Sequence, residues 1–168
     1  MKKEEIKALK KIPERYNHKC FGCSPVNENG LKMKFYTDEK SVYSNLTLAD
    51  YFCGWENIVH GGIISTILDE IMSWSAIYLL KRFILTKSIS VDFLKPVYVG
   101  EDLIVEGRVF KQNSEKEAVM EGFVINSSDE LCAKSKGVFA LFTFEAIQKS
   151  EKIDRSALLE FRAFFEDM

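Results

Sequence analysis

The stretch Gly61-Gly62-Ile63-Ile64-Ser65-Thr66-Ile67-Leu68-Asp69-Glu70-Ile71-Met72-Ser73-Trp74-Ser75-Ala76-Ile77-Tyr78 decides the fold. Its apolar residues recur at intervals of three and four, which is the spacing of a helix. They cover most of the cylinder, so the helix is predicted to be buried on most sides. One narrow stripe is polar: Ser65, Thr66, Asp69, Glu70 and Ser73.

On either side of this stretch the period changes to two. Upstream, Leu31, Met33 and Phe35 alternate with Lys32, Lys34 and Tyr36, and Val42, Ser44, Leu46 and Leu48 form a second set beyond an Asp38-Glu39-Lys40 turn. These predict two strands. Downstream, residues 85–144 predict four. Leu85, Ile89, Val91 and Phe93 carry the first, which ends at Pro96; 103–110, 118–126 and 131–144 are the others. The short turns at Asn113-Ser114-Glu115 and Ser127-Ser128-Asp129-Glu130 make neighbours antiparallel. Residues 17–30, rich in Gly, Asn and Pro, predict a loop. Amphipathic spacing predicts short helices over 3–11 and about 154–166. The order of two strands, one long apolar helix and four strands is α+β: one domain over 1–168, its core about 20–144, with an antiparallel sheet wrapped around a long central helix. A sheet covers only part of such a helix. A second copy would bury the rest, which predicts a homodimer, with a dimer of dimers as the larger alternative.

The chain has 168 residues, 46% hydrophobic and 29% charged. Its 23 Lys plus Arg against 25 Asp plus Glu give a net charge of -2, so no nucleic-acid partner is expected. No apolar run approaches the length of a membrane span, and the charged start is not followed by a secretory segment, so we expect no membrane partner and a cytoplasmic location. Four cysteines do not suggest a disulfide scaffold. Cys20-x-x-Cys23 invites a zinc reading with His18 or Cys53, but structural sites typically use two ligand pairs and only one is visible. The expectation is therefore no metal and no cofactor. Trp55 and Trp74 are read as core before acyl-pocket lining.

Val59-His60-Gly61-Gly62 falls where the long helix begins. Two glycines let the backbone turn and let a ligand come close. The first N–H groups of a helix lack internal partners and sit at the positive end of its dipole. Aimed at a carbonyl oxygen, they form an oxyanion hole. The alternative is that Gly61-Gly62 only makes a turn and His60 caps the helix. Asp69 lies nine residues after His60, about two and a half turns on. A carboxylate inside a largely buried helix is costly without a partner or a task. Desolvation would suit it to act as a general base; the structural alternative is a hydrogen bond to Ser65 or Ser73. Glu70 is the rival acid, about 100° further round, and Asp69 is preferred for sharing a stripe with Ser65 and Ser73.

Phe52-x-Gly54-x-x-x-x-Val59-His60-Gly61-Gly62, followed by Leu68-Asp69-Glu70, resembles the helix-start motif of hotdog-fold thioesterases of the PaaI type. Phe93-Leu94-Lys95-Pro96-Val97-x-x-Gly100-Glu101-Asp102 looks like that family's next strand and turn. Cys20-Phe21-Gly22-Cys23 with Asn29-Gly30-Leu31 is similar to the N-terminal motif of one branch. The resemblance covers about residues 20–144 and implies a hotdog fold that hydrolyses acyl-CoA thioesters without a metal. It implies Asp69 as general base or nucleophile, the Gly61 amide, next to Gly62, as carbonyl donor, and His60 as the residue that positions substrate or leaving thiol. Aligned on Pro96, Thr86 takes the place of the hydroxyl that helps hold the water. It also implies a site between subunits, with His60 and Asp69 of one pocket from different chains. Many relatives carry Asn or Gln where this chain has Gly54. Asn57 is the candidate substitute, and Asn57 and Glu70 complete the candidate substrate contacts. The alternative function is an acyl-CoA binding or sensing module without turnover.

Overall fold

A computed structural model describes residues 3–16, 18–149, 159 and 161–165. The elements run α1 (Lys3–Lys7), β1 (Lys10–Lys11), β2 (Tyr36–Thr37), β3 (Ser41–Thr47), a 3-10 turn (Asp50–Phe52), β4 (Cys53–Trp55), β5 (Ile58–Val59), α2 (Gly61–Leu80), β6 (Phe83–Phe93), β7 (Asp102–Ser114), β8 (Glu117–Ile125), β9 (Leu131–Phe142) and α3 (Phe144–Gln148). Seven strands form one sheet in the order β1-β2-β3-β7-β8-β9-β6, and every pairing in it is antiparallel. Helix α2 lies across one face and touches β3, β6, β7, β8 and β9. This is the α+β arrangement, sheet around central helix, that the change of period implied.

The strands carry the core by alternation. Leu103 and Val105 of β7, Ala118, Met120 and Val124 of β8, and Phe139 and Leu141 of β9 are buried against Ile67, Leu68, Ile71 and Met72 of α2. On the far flank Trp74 stacks on Phe35 at 4.7 Å and meets the edge of Phe164 at 5.6 Å. Trp74 is thus core, whereas Trp55 is 78% exposed on the β4–β5 hairpin.

Several boundaries differ from expectation. The helix predicted over 3–11 stops at Lys7, because Lys10 and Lys11 pair with Tyr36 and Thr37. Residues 31–35 do alternate, with Met33 and Phe35 buried, but they form no ladder there: the Met33 N–H donates to the Gly22 carbonyl at 3.0 Å. The fourth downstream strand ends at Phe142, since the Thr143 hydroxyl caps α3 by accepting from the Ala146 N–H. Of the C-terminal helix predicted over 154–166, residues 161–165 are helical and the remainder falls outside the described residues, apart from Leu159. By length and composition alone α2, with a mean hydropathy of 1.4, would qualify as a membrane-crossing segment, against the expectation that no run does; here the sheet covers it.

The two sheet edges are unlike. β1 is two residues long and both are exposed lysines. β6 is eleven residues long and has β9 as its only ladder partner. Ile89, Val91 and Phe93 pair with Gly137, Ser135 and Ala133, which are buried, so these three also face the helix side of the sheet. Yet Ile89 is 38% and Phe93 57% exposed, because α2 does not reach over the edge.

Candidate active site

Helix α2 starts as the sequence led us to expect. His60 is its N-cap, with φ -59° and ψ 133°. Its Nδ1 accepts from the Gly62 N–H at 2.9 Å, and its carbonyl accepts from the Ile63 N–H at 2.9 Å. The neutral ring therefore carries its proton on Nε2, which faces away from the cap. The capping reading of the His-Gly-Gly segment describes the backbone. The histidine caps Gly62, and that leaves the N–H of Gly61, first residue of the helix, with no carbonyl of a preceding turn to bond.

The strand leading in is pinned on both sides. The His60 N–H donates to the Phe52 carbonyl at 3.0 Å, and the Val59 N–H to the Val97 carbonyl at 2.9 Å. Gly54 lies against this segment: a Cβ there would come within 3.0 Å of the His60 Cα. A side-chain amide at that position would need the backbone to move apart, so its absence matches a tighter hairpin. Asn57 sits in the exposed turn of the β4–β5 hairpin, where its carbonyl accepts from the Val99 N–H at 2.9 Å.

A cleft of about 330 Å³ opens beside Gly61, lined by Ile64, Phe93, Pro96, Val97 and Cys132 among others. A second depression, of about 450 Å³, opens on another face of the helix start, beside His60, Gly62 and Thr66. The first is apolar with an unpartnered amide at its side. The strand residues that line it lie far from Gly61 in sequence, and no local pattern announced them.

Asp69 and Thr86 come together. The Thr86 hydroxyl donates to Asp69 Oδ1 at 2.8 Å, tying α2 to β6. The expected alternative partners are otherwise engaged or silent: the Ser65 hydroxyl donates to the Gly61 carbonyl at 2.9 Å. Asp69 is half-buried and Thr86 exposed, so the pair opens to the surface and is not sealed inside as a largely buried helix suggested. Glu70 points elsewhere. It is covered by the N-terminal loop and accepts from the Trp74 Nε1 at 3.0 Å, with the Cys20 sulfur 3.7 Å from each carboxylate oxygen. Burial, and then the Cys20 sulfur, push its carboxyl up to about 7.

Within one chain the two halves of the candidate site are apart. Gly61 and Asp69 are eight residues apart on one straight helix, which is about 12 Å along its axis. A thioester carbon cannot touch both.

Residues 56–133 match the sequence model of the Thioesterase superfamily. No curated protein matches the chain's sequence. Among solved structures the chain is similar to the E. coli PaaI protein from the phenylacetic acid degradation operon, with 18% identity over 67% of this chain and 81% of that one and a TM-score of 0.62. It is similar to smu.793 from Streptococcus mutans UA159 bound to acetyl CoA, with 23% identity over 65% and 87% and a TM-score of 0.61. A hypothetical thioesterase protein with coenzyme A from Streptococcus pneumoniae TIGR4 has 19% identity over 61% and 81% and a TM-score of 0.57. The fold is that of the hotdog thioesterases, and the resemblance to the PaaI type stands.

Proposed function

We propose, from the premise that this chain is a hotdog-fold protein with a thioesterase-superfamily segment over 56–133, that it hydrolyses acyl-CoA thioesters to the free acid and CoA. The observation that carries the reading is the 2.8 Å hydrogen bond from Thr86 to Asp69, an acid held with one oxygen free on a half-buried helix. The chemistry follows from the parts. The Gly61 N–H, at the positive end of α2, stabilises the oxyanion that forms when the thioester carbonyl is attacked. Asp69 either takes a proton from the attacking water or attacks directly; Thr86 fixes Oδ1 so that Oδ2 faces the reacting carbon. Nε2 of His60 donates toward the departing thiol. The apolar cleft beside Gly61 takes the acyl chain, the kind of surface that excludes competing water.

Each pocket is built by two subunits. The roughly 12 Å between Gly61 and Asp69 of one chain is bridged when the amide of one copy faces the carboxylate of the other. The long β6 edge, apolar and open, is the surface for that pairing. The solved structures holding acetyl CoA and coenzyme A support the choice of leaving group.

The test is free-thiol release from a panel of acyl-CoAs, short to long and including a phenylacetyl form, with wild type beside Asp69→Ala and Asp69→Asn. Hydrolysis is expected in wild type and a loss of about 10²–10⁴-fold in both variants, with circular dichroism unchanged. Full activity in both variants overturns the assignment of Asp69. Tight acyl-CoA binding without thiol release in wild type replaces the enzyme with a binding module.

A further inference from the structure

His18, Cys20 and Cys23 converge between the N-terminal loop and α2, and Glu70 lies beside Cys20. The ligand-capable atoms of the first three lie within 4.8 Å of one another. Glu70 reaches Cys20 from a position 50 residues further on, and its two oxygens are each 3.7 Å from the Cys20 sulfur.

The backbone around them is arranged for this convergence. The Ser24 N–H donates to the Cys20 carbonyl at 3.2 Å, and the Ser24 hydroxyl to the His18 carbonyl at 2.6 Å. These bonds hold both thiols on the same side of a tight turn. The residue between the cysteines is Gly22, and a Cβ there would come within 2.5 Å of the Glu70 carboxyl carbon. Any larger residue would push the carboxylate out of reach. Trp74 donates to Glu70 Oε1 from one turn on, which fixes the carboxylate's plane.

We propose that these four side chains form a binding site for Zn²⁺. Two thiolates and an imidazole favour a borderline-soft cation over Ca²⁺ or Mg²⁺. Zinc takes sulfur at about 2.3 Å and nitrogen or oxygen at about 2.0–2.2 Å, so tetrahedral ligands stand about 3.3–3.8 Å apart. The Cys20 to Glu70 distance of 3.7 Å already meets that spacing. His18 Nδ1 accepts from the Cys20 N–H at 3.3 Å, which holds the half-buried ring beside the two thiols. With four protein ligands no position is left for water, so the metal's role is structural: it fastens the loop to α2 at the residue next to Asp69. Trp74 then serves as the outer donor that orients a ligand. The sequence offered His18 beside the cysteine pair but not Glu70, which lies far along the chain.

The site is independent of hydrolysis, and its test reads metal, not turnover. The full chain, purified under reducing conditions and dialysed, is assayed for zinc by mass spectrometry, then exchanged with Co²⁺. The expected result is about one zinc per chain and a cobalt form with thiolate charge-transfer and tetrahedral d–d bands. A Cys20→Ser, Cys23→Ser double variant is expected to lose both, and Glu70→Gln to bind zinc at least about tenfold more weakly. A wild type that takes up no zinc and shows no thiolate band overturns the proposal. So does a metal-free chain whose two cysteines form a disulfide on air exposure while zinc does not protect them. Zinc retained at full affinity in the double variant overturns it too. Should that variant fail to fold, the wild-type cobalt spectrum decides alone.

Discussion

Asp69 and Glu70 are neighbours in sequence and opposites in surroundings. One turns to Thr86 at the open rim of the sheet, the other to the cysteine loop. The 100° step between consecutive helical residues made that divergence readable from spacing alone. Thr86 itself was not readable that way. The register shifts between Thr86 and Ser88, and this irregularity puts Thr86 on the helix side of β6, where strict alternation with Ile89 would not. Only the resemblance, aligned on Pro96, pointed to it. Replacing Thr86 by Val keeps the β-branched shape and removes the donor. A lost hydrogen bond to a charged group is worth about 1.5–3 kcal/mol, which is about 10- to 100-fold in rate. Steady-state kinetics of Thr86→Val should show that loss in kcat with KM little changed. An equal loss added on top of Asp69→Asn would mean the two act separately. The close approach of Gly22 to Glu70 was beyond reach for the opposite reason: it depends on atoms brought together by tertiary packing, which no local pattern encodes.

At the level of elements, period was a reliable guide wherever an element was long. Helix α2 and strands β7, β8 and β9 match the spacing of their apolar residues, since each buries one face against the others. β4 and β5, at three and two residues, are too short to show a period, and they went unseen although they aim His60. The alternation over 31–35 was real, but it reports burial of Met33 and Phe35, not ladder pairing. The grip of sheet on helix is open to measurement at Ile71, which is fully buried and packs over Gly122. Ile71→Ala should cost about 2–5 kcal/mol, read as a lower urea midpoint. An unchanged urea slope would keep the transition two-state.

On the scale of the whole molecule the contrast between the sheet edges bears on the proposed pairing of two copies. Ile89 faces the helix side at an edge that nothing among the described residues of one chain covers. Ile89→Lys places a charge in the middle of that edge, as edge strands do to prevent pairing. Sedimentation should then find a monomer, and thiol release should fall with it, because no single chain brings the Gly61 amide and the Asp69 carboxylate together. A monomer that kept full activity would refute a shared pocket. The lysine-bearing edge has a further consequence. Pairing β6 with its own copy is self-complementary and uses up the long edge of both partners, leaving only the two-residue lysine edges at the ends of the joined sheet. Growth by strand addition through such a pairing would stop at two. The same exposed strand that invites association is, for that reason, unable to template a filament.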